Sequence, residues 1–479
     1  MGTNGDVTAG THAESPPARA SLPSLRDAPA VAELFLGVFR RDLALFYPDA
    51  RFHQTDPGRG RDLTGTGPDF RLVEDGAEAL AIDLFGARYR LDPRDGRFFS
   101  PHDVRMVRAI GAVLSLRYQH LFQMTHNSRL ELYRGGSEDH YVAAFVEPWA
   151  YTPAARRSSR IASTIHTLRT AALSTYENRR VSTGALLLGD GDEGDPPHVA
   201  PADALPYGVE LTALKSVHRL CDGKRTLFLV DREGRLIEVI DIARWAGDIA
   251  HGARAEVPCA RDYSPHAQAT RSGGNLCLVL SPNQEIKIFA TGSQQFAFAH
   301  GRWRVLDPAT KFGVWASAVA EPRLARVLFQ TALDLAECRQ GGLFVVLDDP
   351  GTAVGRLVAP QDLLVEDVPG DPPDPIALGD TLAKRALHYL ARGRTITELD
   401  PPVLEALAGL DGAIATDRSG RLIAFGAILR HDASASFGLA AEGARTTAAM
   451  IASRFGPVLK VSEDGIVSCF LGGARVWEL

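Results

Sequence analysis

Three short segments near the C-terminus carry the residue types and spacing that a phosphorylated ligand needs. Asp411-Gly412-Ala413 places a carboxylate on a glycine turn that feeds a strand. Gly443-Ala444-Arg445-Thr446-Thr447 opens an alanine-rich helix, whose free N–H groups and partial positive charge attract anions. Val461-Ser462-Glu463-Asp464-Gly465 adds a serine-acid turn at the end of another strand. Gly443 would let the backbone approach phosphate closely, Arg445 would clamp its oxygens with a fork of donors, and Thr446 and Thr447 would add hydroxyls. Ala448, Ala449 and Ala452 keep the helix lean enough to pack on a sheet. A lone Gly-x-Arg-Thr segment also describes an ordinary surface helix. What lifts this one above that reading is that Asp411-Gly412 and Ser462-Glu463 are both expected at sheet ends, where α/β folds gather ligands.

Composition narrows the setting. With 479 residues, 45% of them hydrophobic, the chain can bury two or three cores. No apolar run approaches the ~18 residues of a membrane span, and the N-terminus lacks a basic start followed by an apolar stretch. A soluble, cytoplasmic protein is expected. The five cysteines are odd in number, widely spread and never in a CxxC pair, so they read as buried thiols rather than a disulfide framework or a zinc knuckle. A net charge of -6 gives no footprint for duplex nucleic acid. P-loop, HExxH, GxSxG and EF-hand patterns are all absent. The histidines, among them His102, His166, His218, His300 and His431, show no ligand spacing.

Periodicity supplies the elements that must position the three segments. Residues 1–28 read as a disordered tail rich in small residues and proline. Residues 29–150 read as a small α+β domain: a helix over 29–46, two short strands between 70 and 91, and a helix from Ser100 to about Met124. The remainder contains an internal repeat. A helix over 158–178 leads into Thr183-Gly184-Ala185-Leu186-Leu187-Leu188, and another leads into Gly341-Gly342-Leu343-Phe344-Val345-Val346. Acidic Pro/Gly-rich excursions follow at Gly189 and Asp367. Leu229-Val230-Asp231-Arg232-Glu233-Gly234-Arg235-Leu236-Ile237 then answers Ala415-Thr416-Asp417-Arg418-Ser419-Gly420-Arg421-Leu422-Ile423 as strand, tight turn, strand. Two α/β units are expected, over 151–310 and 325–479. In the first, Lys224-Arg225-Thr226 separate Asp222-Gly223 from the strand, and Ser264-Pro265-His266 replaces the Gly-Ala-Arg helix opening. That copy is expected to be chemically silent.

In residue order and spacing, the second unit resembles the diadenylate cyclase domain family (the N-terminal domain of DisA). That family runs through a DGA turn, a strand pair, a Gly-Thr-Arg-His-Arg helix opening and a VSEE-type turn. The resemblance covers residues 325–479 well and 158–306 faintly. It implies two tandem cyclase-like α/β units, each a mixed central sheet flanked by helices, with the first degenerate. It further implies ATP as ligand, Mg2+ or Mn2+ as cofactor, and condensation of two ATP into cyclic di-AMP across a face-to-face homodimer. Asp411 and Arg445 would then be catalytic. Gly412, Ala413, Gly443, Ala444, Arg445, Thr446, Thr447, Ser462 and Glu463 would line the nucleotide, and Asp411 and Glu463 would face the metal. Neither nucleic acid nor membrane is an implied partner.

The sequence departs from the family where an arginine-histidine-arginine triplet is expected. Only Arg445 is kept, followed by Thr446 and Thr447. Phosphoryl transfer relies on positioned charge, so losing two cationic donors would cost on the order of 10²-fold or more in rate, and ground-state binding less. Arg430, His431 and Lys460 are candidates to restore that charge. Three readings stay open: a working diadenylate cyclase, a nucleotide sensor that binds without turnover, and a non-nucleotide interaction scaffold.

Overall fold

The computed structural model describes residues 29–56, 68–75, 78–93, 98–122, 129–155, 157–189, 200–212, 214, 217–250, 257–359, 362–364, 391–430 and 443–479. The expected tail, the acidic excursions beyond Gly189 and from Asp367, and His431 lie outside these residues. The fold is α/β, with mixed sheets flanked by helices. Among the described residues, no helix is long and apolar enough to cross a membrane.

The N-terminal region packs helices Pro29–Phe46 and Pro101–Phe122 on a four-stranded antiparallel sheet. Residues 70–91 form three strands rather than the expected two, Arg71–Asp75, Leu80–Leu84 and Ala87–Asp92. The extra reversal is a two-residue turn at Phe85-Gly86, both in the left-handed region with φ of 50° and 72°. Such a turn joins hairpin strands with matching twist, and a phenylalanine at its first position hides the usual sequence signature. This region shares one buried hydrophobic cluster with the next unit, running from Ala32 through Leu168 and Leu278 to Trp303.

The two sheets that follow have the same strand order and the same strand directions. The first places Leu236–Asp241, Thr226–Val230, Thr183–Leu187, Leu276–Leu280, Ile286–Ala290 and Ser293–Ala299 side by side, then adds Arg302–Val305 at the edge. The second places Leu422–Ala427, Ala413–Asp417, Gly342–Leu347, Val458–Val461, Val467–Leu471 and Ala474–Glu478. In each, only the second and third strands run parallel. The hairpins match atom for atom. The Asp231 carboxylate accepts the N–H groups of Glu233 and Arg235 at 2.9 and 2.8 Å, and that of Asp417 accepts Ser419 and Arg421 at 2.8 and 3.0 Å. Likewise the Ser281 hydroxyl accepts the Glu285 N–H at 3.3 Å, and the Ser462 hydroxyl accepts that of Ile466 at 3.2 Å.

Strand alternation sends Phe344 and Val346 into a core with helix Pro322–Glu337, and Leu343, Val345 and Leu347 into another with Ala449 and Ala452 of helix Ala444–Ala452. Both faces of this sheet are therefore covered. Four of the cysteines are buried thiols, whereas Cys338 is exposed because it caps helix Pro322–Glu337 as the chain turns outward.

Helix Pro322–Glu337 also forms the seam between the two units, and the seam is ionic. The buried Lys287 ammonium lies 3.0 Å from Glu285 and 2.6 Å from Glu337, and Arg339 pairs with Glu285. Arg261 spans to Asp334 at 2.9 Å and also pairs with Glu405. A buried pair broken on one side leaves an uncompensated charge, a loss of about 3–5 kcal/mol. Lys287→Met is therefore expected to lower stability by about that amount in urea unfolding, and adding Glu337→Leu is expected to recover part of it.

Candidate functional site

One end of the C-terminal sheet gathers all three segments. Gly342 pairs with Val461, and Ala413 with Ala427. Consequently Asp411-Gly412 enters the sheet beside Gly341, and Ser462-Glu463 leaves it at the same end. Ligands in α/β sheets usually sit at the carboxyl ends of parallel strands. Here the parallel pair presents its amino ends, and the carboxyl ends belong to the two antiparallel neighbours, Leu422–Ala427 and Val458–Val461.

Arg445 joins the segments. Its Nη1 lies 3.3 Å from Glu463 Oε1 and its Nη2 lies 3.9 Å from Asp411 Oδ1. The Asp411 and Glu463 side chains are 89% and 76% exposed and Arg445 is 40% exposed, so all three can meet a ligand from solvent. Docking of the first unit does not cover them. Gly341 leaves room for the guanidinium in this position, since a Cβ there would fall 2.1 Å from Arg445 Nη1 and the arginine tip would have to shift. The Gly341-Gly342 doublet reads in sequence only as a strand start, so this close approach was not foreseeable.

Backbone geometry explains the other glycines. Gly412 has φ +112° and a Cβ would lie 2.4 Å from the Gly426 carbonyl carbon, which presses the Asp411 turn against the neighbouring strand. Gly443 has φ +86°, and among the described residues nothing lies within 4 Å of a Cβ there. Ala444 is exposed beside it, whereas Ala413 is buried in the sheet. The two threonines turn inward. Thr446 is buried and accepts the Lys460 ammonium at 2.7 Å, and Thr447 is buried with its hydroxyl donating to the Gly443 carbonyl at 3.3 Å. Lys460 thus stands behind the first helical turn, and Arg430 donates to the Gly355 carbonyl at 3.3 Å. The Ser462 hydroxyl, already accepting from Ile466, keeps its proton to donate.

In the first unit the same positions are arranged differently. Asp222, the counterpart of Asp411, is consumed by its own loop. Its Oδ1 accepts the N–H groups of Lys224, Arg225 and Thr226 at 2.9, 2.7 and 3.0 Å. Partial burial opposes ionisation, but these backbone donors outweigh it and hold the carboxyl down at about 2. His266, on the helix that corresponds to Ala444–Ala452, is fully buried and hydrogen-bonded to the Gly223 carbonyl at 3.0 Å. Burial pushes its imidazole down to about 4, so a neutral ring fills the helix opening. In the hairpin that matches Ser462-Glu463, Pro282 follows Ser281.

No protein-family model matches this chain, and no curated protein matches it. Among solved structures it overlaps a hypothetical membrane spanning protein from Bacillus cereus at 18% identity and a TM-score of 0.23, covering 35% of this chain and 69% of that one. It also overlaps a double mutant of DacA from Staphylococcus aureus at 19% identity and a TM-score of 0.20, covering 33% and 86%. Superpositions this loose leave the site to be judged on its own geometry.

The contrast between the two aspartates is measurable. Asp222→Ala is expected to cost about 1–2 kcal/mol of stability at pH 7, and Asp411→Ala less than about 0.5 kcal/mol. Because the folded Asp222 value lies below its ordinary value of 3.8, its contribution is complete above about pH 4 and disappears as pH falls through about 2. Urea titrations of both variants at pH 7 and at pH 2 to 3 check this: the Asp222→Ala deficit should shrink in acid.

Proposed function

We propose that the C-terminal unit binds an adenine nucleotide together with a divalent metal, in the manner of the diadenylate cyclase family. The observation that carries this reading is the convergence of Asp411, Arg445 and Glu463 beside the helix N-terminus at Gly443. Two carboxylates against one guanidinium leave the surface with a net single negative charge. The carboxylates would repel a bare triphosphate, whereas they could coordinate the metal of a metal-nucleotide. Among the described residues no cluster of three or more metal-ligating side chains exists. Two carboxylates fit an ion that arrives with its phosphates, as Mg2+ or Mn2+ does, rather than a resident one. Asp411 and Glu463 would face that ion, which would neutralise phosphate charge. Arg445 would fork onto a phosphate, Gly443 and Ala444 would offer backbone N–H groups, and the Ser462 proton would meet an acceptor.

Condensation of two ATP needs two such sites face to face, and one chain carries one, so turnover would demand a homodimer. A specific observation favours the reading without turnover. Thr446 and Thr447 occupy the positions of two family cations and are turned into the core, Lys460 is held behind Thr446, and Arg430 is held at Gly355. A single guanidinium suits ground-state binding better than stabilisation of a transferring phosphoryl group. We therefore infer a nucleotide-responsive module, set in the cytoplasm, where free thiols and ATP coexist.

Incubation with ATP and Mn2+ or Mg2+ tests this. Millimolar metal-ATP is expected to raise the melting temperature, and the rise should be smaller in EDTA-treated samples and in Arg445→Ala. No cyclic dinucleotide is expected. A cyclic product that disappears in Asp411→Asn would replace the sensor by the cyclase. An unchanged melting temperature at millimolar metal-ATP would refute nucleotide binding and favour a scaffold.

A further inference from the structure

A second charged site lies in the first unit, at the opposite end of its sheet. A cleft of about 620 Å3 is walled by the N-terminal region and the first unit, and five arginines line it: Arg105, Arg157, Arg160, Arg232 and Arg271. Among the described residues its one lining carboxylate, Glu147, accepts the Ser159 hydroxyl at 3.0 Å and pairs with Arg160 at 3.1 Å. The cleft opens at the carboxyl ends of the two parallel strands, Thr183–Leu187 and Thr226–Val230, with Gly189 and Arg232 two residues beyond them. That is the end at which α/β sheets gather ligands.

The walls are built rather than incidental. Asn275 accepts the Gly189 N–H at 2.9 Å and donates to the Ala269 carbonyl at 3.3 Å, which locks two loops together. A Cβ at Gly189 would fall 2.0 Å from the Gly273 carbonyl oxygen, so this wall needs a residue without a side chain. Arg160 donates to the Leu188 carbonyl at 2.5 Å and Arg232 to the Gly189 carbonyl at 2.6 Å, which fixes two guanidinium groups at the rim. Arg105 lies 4.5 Å above the Phe145 ring and Arg157 reaches Glu233 only at 3.7 Å, so both can turn to a ligand. Trp149, 48% exposed, offers an aromatic face on the same wall.

We propose that this cleft binds a small phosphate ester carrying at least two negative charges. Guanidinium forks match phosphate oxygens in pairs, and Arg105 and Arg157, both exposed at this cleft, can present two of them to one ligand. The volume suits a ligand of nucleotide size. The binding needs no metal, because the cleft supplies the cations itself. This separates it from the carboxylate-bearing site of the second unit.

Calorimetry on the full chain in EDTA tests the proposal, with inorganic pyrophosphate and ADP as probes. Pyrophosphate is expected to bind, to weaken at least tenfold in Arg105→Ala and in Arg157→Ala, and to be unchanged in Asp411→Asn. Tighter binding of ADP, with quenching of fluorescence that is lost in Trp149→Phe, would assign a nucleotide; equal affinity would assign the phosphate chain alone. Both arginines are exposed, and circular dichroism checks that each variant is folded. The proposal is overturned if neither probe binds at millimolar concentration, or if folded arginine variants bind as tightly as the wild type.

Discussion

The guanidinium of Arg445 lying across the bare backbone of Gly341 is the contact on which the account of the C-terminal unit depends. It links the helix, the strand entry and the hairpin exit that strand pairing already brings to one sheet end, and the missing side chain at residue 341 leaves room for it. Without it, Asp411 and Glu463 would be two like charges at one sheet end with no guanidinium between them. With it, the cluster is one positive charge short of neutral, poised for a cation that brings its own anion.

The two units show how one topology carries different chemistry. Their hairpins agree to the level of individual N–H···O bonds, because Asp231 and Asp417 each close a turn that the sheet needs. Their ligand ends do not agree. In the first unit the aspartate is bound by its own loop and a neutral histidine fills the helix mouth. In the second, the aspartate is exposed and Arg445 opens the helix with its charge toward Asp411 and Glu463. Packing fixes the first kind of residue and leaves the second free to change. The seam between the units adds a physical link: Arg339, which pairs with Glu285 of the buried Lys287 network, also donates to the Asp464 carbonyl in the turn that carries Glu463.

Much of this was legible in the chain itself, for identifiable reasons. The repeated Asp-Arg-x-Gly-Arg-Leu-Ile turn announces a hairpin because aspartate and glycine each do one job there. The helices over 29–46 and from Ser100 are visible because burial of one face imposes a period. Other features depend on distant partners and leave no local trace. The Phe85-Gly86 turn lacks the usual residues, the inward rotation of Thr446 and Thr447 is set by how the helix packs, and the shared core of the N-terminal region and first unit is a matter of docking. The arginine cleft went unseen because its arginines are scattered from Arg105 to Arg271 and meet only in the fold.

The most direct test of the central claim is 31P NMR of Mg-ATP titrated with a chain carrying Arg105→Ala and Arg157→Ala, so that the cleft of the first unit does not contribute. The account predicts that the phosphate resonances shift or broaden, and that adding Arg445→Ala or the pair Asp411→Asn and Glu463→Gln abolishes the effect. Resonances that remain those of free Mg-ATP, or that respond equally after those substitutions, would contradict it.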